Sequence, residues 1–103
     1  MAKVSIIAKL TTAEDNVAAF EDALASMVIA AEEEAGLEIY SVHKDPNTVG
    51  VYWFFELYTD GDALGVHGKG DGMKAAMGAL GGLLAGAPEI SVLEPTVAKG
   101  LAL

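Results

Sequence analysis

His67 and Glu56 are the residues of this chain best suited to proton chemistry. An unperturbed imidazole titrates at about pH 6.5, which suits a base working near neutrality. His67 follows Ala63 by four residues and Leu64 by three, so on a helix it shares their face and points toward a sheet. Glu56 interrupts an apolar run, Val49 to Tyr58, where a buried acid is costly unless paired. It is expected either to orient His67 or to pair with Lys3 or Lys9 across an interface. Tyr40, Tyr52 and Tyr58 can donate hydrogen bonds to a phenolic oxygen, Trp53 and Phe55 can wall an aromatic pocket, and Met73 and Met77 offer deformable packing for a planar ligand. Each has a structural alternative: a histidine that fixes a helix by bonding backbone or Glu56, and aromatics and methionines that only fill a core. His43, beside Lys44 and Asp45, reads as an exposed hairpin residue. His43 and His67 lack close ligand spacing, so no metal site is expected.

Composition removes other chemistries. The chain has no cysteine, which excludes disulfides, thiolate metal sites, iron–sulfur clusters and cysteine nucleophiles. Six basic against fifteen acidic side chains give a net charge of −9, which would repel nucleic acid and anionic membranes. The 103 residues suffice for one domain with one core. A hydrophobic content of 52% and a mean hydropathy of +0.39 are high for a monomer and predict a homodimer or higher oligomer. No apolar run reaches the roughly 20 residues that span a bilayer, and Met1 to Val4 leads straight into a strand pattern, so a cytoplasmic protein is expected.

The elements that must position these residues follow from periodicity. Lys3 to Leu10 alternates as a strand. Thr11 with Glu14 forms a capping-box pattern, and Val17, Phe20, Leu24, Met27, Val28 and Ala31 recur at helical spacing, predicting a helix from Ala13 to Ala35 that stops at Gly36. Glu32, Glu33 and Glu34 then read as a solvated helix end. Leu37 to Lys44, the turn at Asp45-Pro46-Asn47-Thr48 and the aromatic strand make a hairpin. Thr59-Asp60-Gly61-Asp62 starts a short helix reaching His67. Gly68-Lys-Gly-Asp-Gly72 lacks phosphate-loop spacing and is expected to be a flexible gate over the pocket, or merely a loop. A helix from Met73 carries Met77, Leu80, Leu83 and Leu84, and a last strand runs from Glu89 to Leu93.

The order β-α-β-β-α-β predicts an α+β, ferredoxin-like domain over residues 1–95: a four-stranded antiparallel sheet with both long helices on one face. In the aromatic strand both alternating sets are apolar: Val51, Trp53, Phe55 and Leu57 on one side, and Tyr52, Phe54 and Tyr58, with Glu56, on the other. Helices can cover only one of them. A second copy is expected to cover the other, closing a dimeric α+β barrel, with the tail 96–103 packing on the partner subunit.

The run Glu56-Leu-Tyr58-Thr-Asp60-Gly-Asp-Ala63-Leu64-Gly-Val-His67, preceded by an aromatic strand and followed by a helix, Leu83-Leu84-Ala-Gly-Ala-Pro88 and a final strand, resembles the antibiotic biosynthesis monooxygenase family. The likeness extends from Lys3 to Pro95. It implies the dimeric α+β barrel, and the oxygenation of quinols or anthrones by O2 without metal, haem or flavin. On that resemblance Glu56, Asp60, Ala63, Leu64 and His67 occupy family positions. Tyr58 stands where an aromatic, often Trp, is usual. Gly72 and Met73 stand where the family frequently has a second His followed by Phe. The chain is therefore expected to be a cofactor-independent monooxygenase of a small electron-rich aromatic, with His67 as base. The alternative is a non-catalytic dimeric barrel serving binding or stress response. A haem-degrading monooxygenase is disfavoured, because residues 4–10 lack the asparagine that similar haem-degrading proteins carry on the first strand.

Overall fold

Alternation in four segments and helical spacing between them give strands β1 (Val4–Thr11), β2 (Leu37–Lys44), β3 (Val51–Tyr58) and β4 (Glu89–Leu93), with helices α1 (Val17–Ala31), α2 (Gly61–Val66) and α3 (Asp71–Gly81). The computed structural model describes residues 2–67 and 70–103. The strands form one antiparallel sheet in the order β2-β3-β1-β4, the ferredoxin-like arrangement expected from the sequence. Among the described residues no helix is long and apolar enough to cross a membrane.

Phe20, Leu24 and Met27 of α1 and Met73, Ala76 and Leu80 of α3 pack against Ile6, Ala8, Leu10, Tyr52 and Phe54 of the sheet, which makes one core. Full burial of side chains this size contributes about 1.5–3 kcal/mol each. The parity of β3 is as read: Tyr52, Phe54, Glu56 and Tyr58 are buried beneath the helices, while Trp53, in the opposite set, is 41% exposed. Pairing continues that outward set across the sheet. His43, Trp53, Lys9 and Glu89 form one cross-strand row, and Ser41, Phe55, Ile7 and Ser91 the next. Leu57 also belongs to the outward set yet is 1% exposed. At that end Lys3 reaches the Ala102 carbonyl of the tail and pairs with Glu38 at 2.7 Å.

Several local expectations are corrected. The Thr11–Glu14 capping box does not form. Thr11 pairs with Val51 inside β1, and Thr12 Oγ1 donates to the Leu83 carbonyl at 2.7 Å, so a 3-10 turn over Glu14–Asn16 precedes α1. Helix α1 ends at Ala31 rather than Ala35, because two successive turns over Glu32–Gly36 reverse the chain into β2. Of the loop expected at residues 68–72, Asp71 and Gly72 are the first turn of α3, and Gly68 and Lys69 lie outside the described residues.

A glycine is required at two close approaches. Gly50 has φ +89°, and a Cβ there would stand 2.2 Å from the Thr12 carbonyl oxygen. At Gly36 a Cβ would stand 2.4 Å from the Cβ of Ala63. Only a bare backbone lets α2 lie this close to the turn between α1 and β2.

Candidate active site

Helix α2 is short and held at its start by Asp60, whose Oδ1 accepts from the Ala63 backbone N–H at 2.9 Å. Its last turn closes with the His67 N–H donating to the Leu64 carbonyl at 3.1 Å, and His67 then leaves the helix in an extended conformation. The contact at Gly36 sets this helix against the α1–β2 turn. His67 therefore meets Glu34, a residue 33 positions earlier: Nδ1 lies 3.0 Å from Oε1 and 3.2 Å from Oε2. Because a carboxylate only accepts, the hydrogen resides on Nδ1. Nε2 faces the other way, 3.8 Å from Glu56 Oε1.

Glu56 is buried, and its Oε1 accepts a hydrogen bond of 2.5 Å from the Tyr58 hydroxyl. Burial pushes its carboxyl above the usual range, opposed by the Tyr58 bond and the nearby imidazole, and reinforced by Glu34. Burial likewise pushes the Tyr58 and Tyr40 hydroxyls up, Tyr58 further through its bond to Glu56 and Tyr40 through the charges of Glu56 and Glu34. The rings of Tyr40 and Tyr58 flank the imidazole, with centroids 5.9 and 5.5 Å away.

This polar cluster closes one end of an otherwise apolar, partly open cavity of about 250 Å3 between sheet and helices. Ile6, Ala8 and Leu10 of β1 and Phe54 of β3 form its floor, Met27 of α1 and Met77 and Leu80 of α3 its roof. Ile90 and Pro88 stand toward the β4 edge. A second depression, about 300 Å3, lies on the far side of α1 around Glu21, Lys44 and Tyr52. Its polar groups satisfy one another: Tyr52 donates to Glu21 at 2.6 Å, which with burial pushes its hydroxyl up to about 12, and Lys44 stands 3.7 Å from Glu21. The imidazole and the largely apolar lining belong to the smaller cavity.

The sequence-derived candidates divide accordingly. His67, Glu56, Tyr40 and Met77 line the cavity, and Tyr58 stands behind Glu56. Tyr52 serves the other depression, and Met73 is core, 2% exposed. Trp53 and Phe55 are on the outward sheet face and do not line the cavity, whereas Phe54, of the opposite parity, does. Glu56 faces the helices, and within the chain Lys3 and Lys9 pair with Glu38 and Glu89. Glu34 is the member of the cluster that the sequence concealed. It is half-buried against His67, whereas Glu32 and Glu33 are exposed. His43 is exposed, its Nε2 3.0 Å from Ser41 Oγ.

Residues 3–79 match the family profile described as antibiotic biosynthesis monooxygenase. A Caulobacter crescentus protein, provisionally called an antibiotic biosynthesis monooxygenase, is 32% identical with a TM-score of 0.87, covering 93% of this chain and 92% of that one. The NE2512 protein of unknown function from Nitrosomonas europaea is 26% identical with a TM-score of 0.82, over 99% and 97% of the two chains. Rv0793 from Mycobacterium tuberculosis shares the fold at 24% identity and a TM-score of 0.85, over 94% and 98%. No curated protein sequence matches the chain.

Proposed function

The chain belongs to the antibiotic biosynthesis monooxygenase family, and on that premise we propose that it oxidises a small quinol or anthrone-like aromatic with O2 in the cavity beneath the helices. The observation that carries this reading is the commitment of His67 Nδ1 to Glu34, which leaves the Nε2 lone pair for a substrate proton. Ground-state O2 reacts poorly with closed-shell molecules, but a phenolate or the carbanion of an anthrone can pass it one electron. The protein then needs only to deprotonate the substrate and exclude water. For an anthrone-like CH2 the imidazole takes one proton, and the carbanion and O2 join through a C–O bond. The imidazolium returns its proton to the resulting peroxide. Loss of the second C–H proton breaks the O–O bond, and the balance is CH2 plus O2 to C=O plus H2O. No cofactor enters this balance.

The same reading makes the chain a homodimer joined through the outward sheet face, which leaves Ile7 40%, Trp53 41% and Leu93 45% exposed in a single copy. The tail 97–103 is proposed to extend that contact. One observation favours a catalytically silent binding protein instead: 250 Å3 is below the roughly 300–1,000 Å3 of pockets for drug-sized ligands.

The test is O2 uptake with a panel of quinols and anthrones, chelator present, for wild type and His67→Ala. Uptake by the wild type that falls at least a hundredfold in the variant is expected. Full activity of His67→Ala removes the base assignment, and no uptake with any substrate favours the silent barrel.

A further inference from the structure

We propose that Glu34 and Glu56 make the cavity selective by charge: it takes compact neutral or cationic aromatics and refuses those carrying a carboxylate, sulfonate or phosphate. This rests on the cavity assigned above as the site, and it adds a property that neither the fold nor the proposed oxidation requires.

Glu56 and His67 line the polar end of the cavity and Glu34 backs the ring, a cluster with the imidazole between Glu34 at 3.0 Å and Glu56 at 3.8 Å. Its net charge is negative whenever both acids are ionised, whether or not the ring carries a second proton. It reaches zero once any two of the three groups have gained a proton, and turns positive only when all three have.

Among the described residues no cation compensates this charge within the cavity. All six basic residues are lysines, so the bidentate fork that best holds carboxylate or phosphate is absent from the sequence. Lys3 and Lys9 are engaged with Glu38 and Glu89, and Lys44 stands by Glu21 across α1. Among the described residues no lysine lines the cavity. Apart from the Tyr40 hydroxyl the other walls are apolar, so an anion entering would lose its hydration and find no cation in return. A neutral phenol loses little and can donate its hydrogen to Nε2. An ammonium group gains the carboxylates. The volume of about 250 Å3 suits a small fused-ring aromatic.

The probes are 1-naphthol, 1-naphthylmethylamine and 1-naphthoate, three bodies of one shape, titrated anaerobically by calorimetry. Ligand-induced shifts of the His67 ring protons locate the binding. Naphthol and the amine are expected to bind, and naphthoate at least tenfold more weakly. Glu34→Gln and Glu56→Gln, checked for folding by circular dichroism, should each narrow that gap. Added salt should leave most of it, since a local pair of acids is screened less than the overall charge. Naphthoate binding as tightly as naphthol overturns the proposal. So does a gap unchanged in both folded variants, a gap abolished by salt alone, or failure of all three probes to move the His67 signals. Absence of O2 uptake beside intact charge selection would defeat the proposed oxidation and leave this inference standing.

Discussion

Tyr58 donates its hydroxyl hydrogen to Glu56 across 2.5 Å, two residues along one strand and on one face. With Tyr58 fully buried, the bond has no competing water at the tyrosine end, and it is one of the two interactions that oppose the burial of Glu56.

Glu56 should therefore make stability fall with rising pH. Its folded-state pKa is raised above the ordinary 4.5, so the native chain holds the proton more tightly than the unfolded one. The group's contribution is complete below the unfolded pKa and is lost as pH rises through the folded one. Each tenfold in proton affinity is worth about 1.4 kcal/mol. Glu56→Gln should flatten the curve over that interval and gain on wild type at pH 8 relative to pH 4. Glu38, whose pKa is lowered chiefly by its bond to Lys3, acts in the opposite direction but equally in both proteins. Urea unfolding at both pH values decides it; a constant difference between the proteins refutes the assignment.

Glu34→Gln should lower kcat roughly tenfold with KM little changed, a part of the 10²–10⁴-fold that a general base supplies. The amide can still accept from Nδ1, but it no longer stabilises the imidazolium. Steady-state kinetics on the best substrate of the panel is the measurement. Equal losses in KM and kcat would indicate a packing role instead.

Gly36→Ala should destabilise the protein by about 1–3 kcal/mol, the usual range for overpacking. The new methyl would stand 2.4 Å from the Cβ of Ala63. The double variant Gly36→Ala with Ala63→Gly should recover part of the loss, because the clash has one identifiable partner. Thermal unfolding of the four proteins completes the cycle; strict additivity would mean that the contact is not what confines position 36.

Trp53→Glu should weaken self-association with little loss of fold. Trp53 is 41% exposed, its ring 5.7 Å from Lys9 Nζ, and it touches no cavity wall. Sedimentation velocity across a concentration series is the readout. A monomeric wild type, or a variant that associates as well as wild type, rejects the outward face as the interface.

The architecture was legible because alternation and helical spacing are local. β3 showed its two faces, Asp45-Pro46-Asn47-Thr48 showed its turn, and Glu89–Leu93 was placed at its observed bounds. Helix ends were less so: Thr12 is claimed by the Leu83 carbonyl 71 residues away, a competition no capping pattern reveals. His67 was placed toward the sheet by its spacing from Ala63 and Leu64. Its partner Glu34 was hidden, since three consecutive acids look alike until Gly36 and Ala63 select the one that faces inward. The pocket walls were half found. Tyr40 and Met77 were named, while Ala8, Leu10 and Phe54 passed for ordinary core.

One strand serves two tasks back to back, with Phe54 and Glu56 facing the cavity and Trp53 and Phe55 the exterior. Inserting or deleting one codon within Val51–Tyr58 would exchange these sets along the shifted length, because side chains alternate with a period of two. Substitutions on either side can accumulate independently. Changes of length in this segment cannot, so natural variation here is confined to replacement and should leave the spacing of β3 untouched.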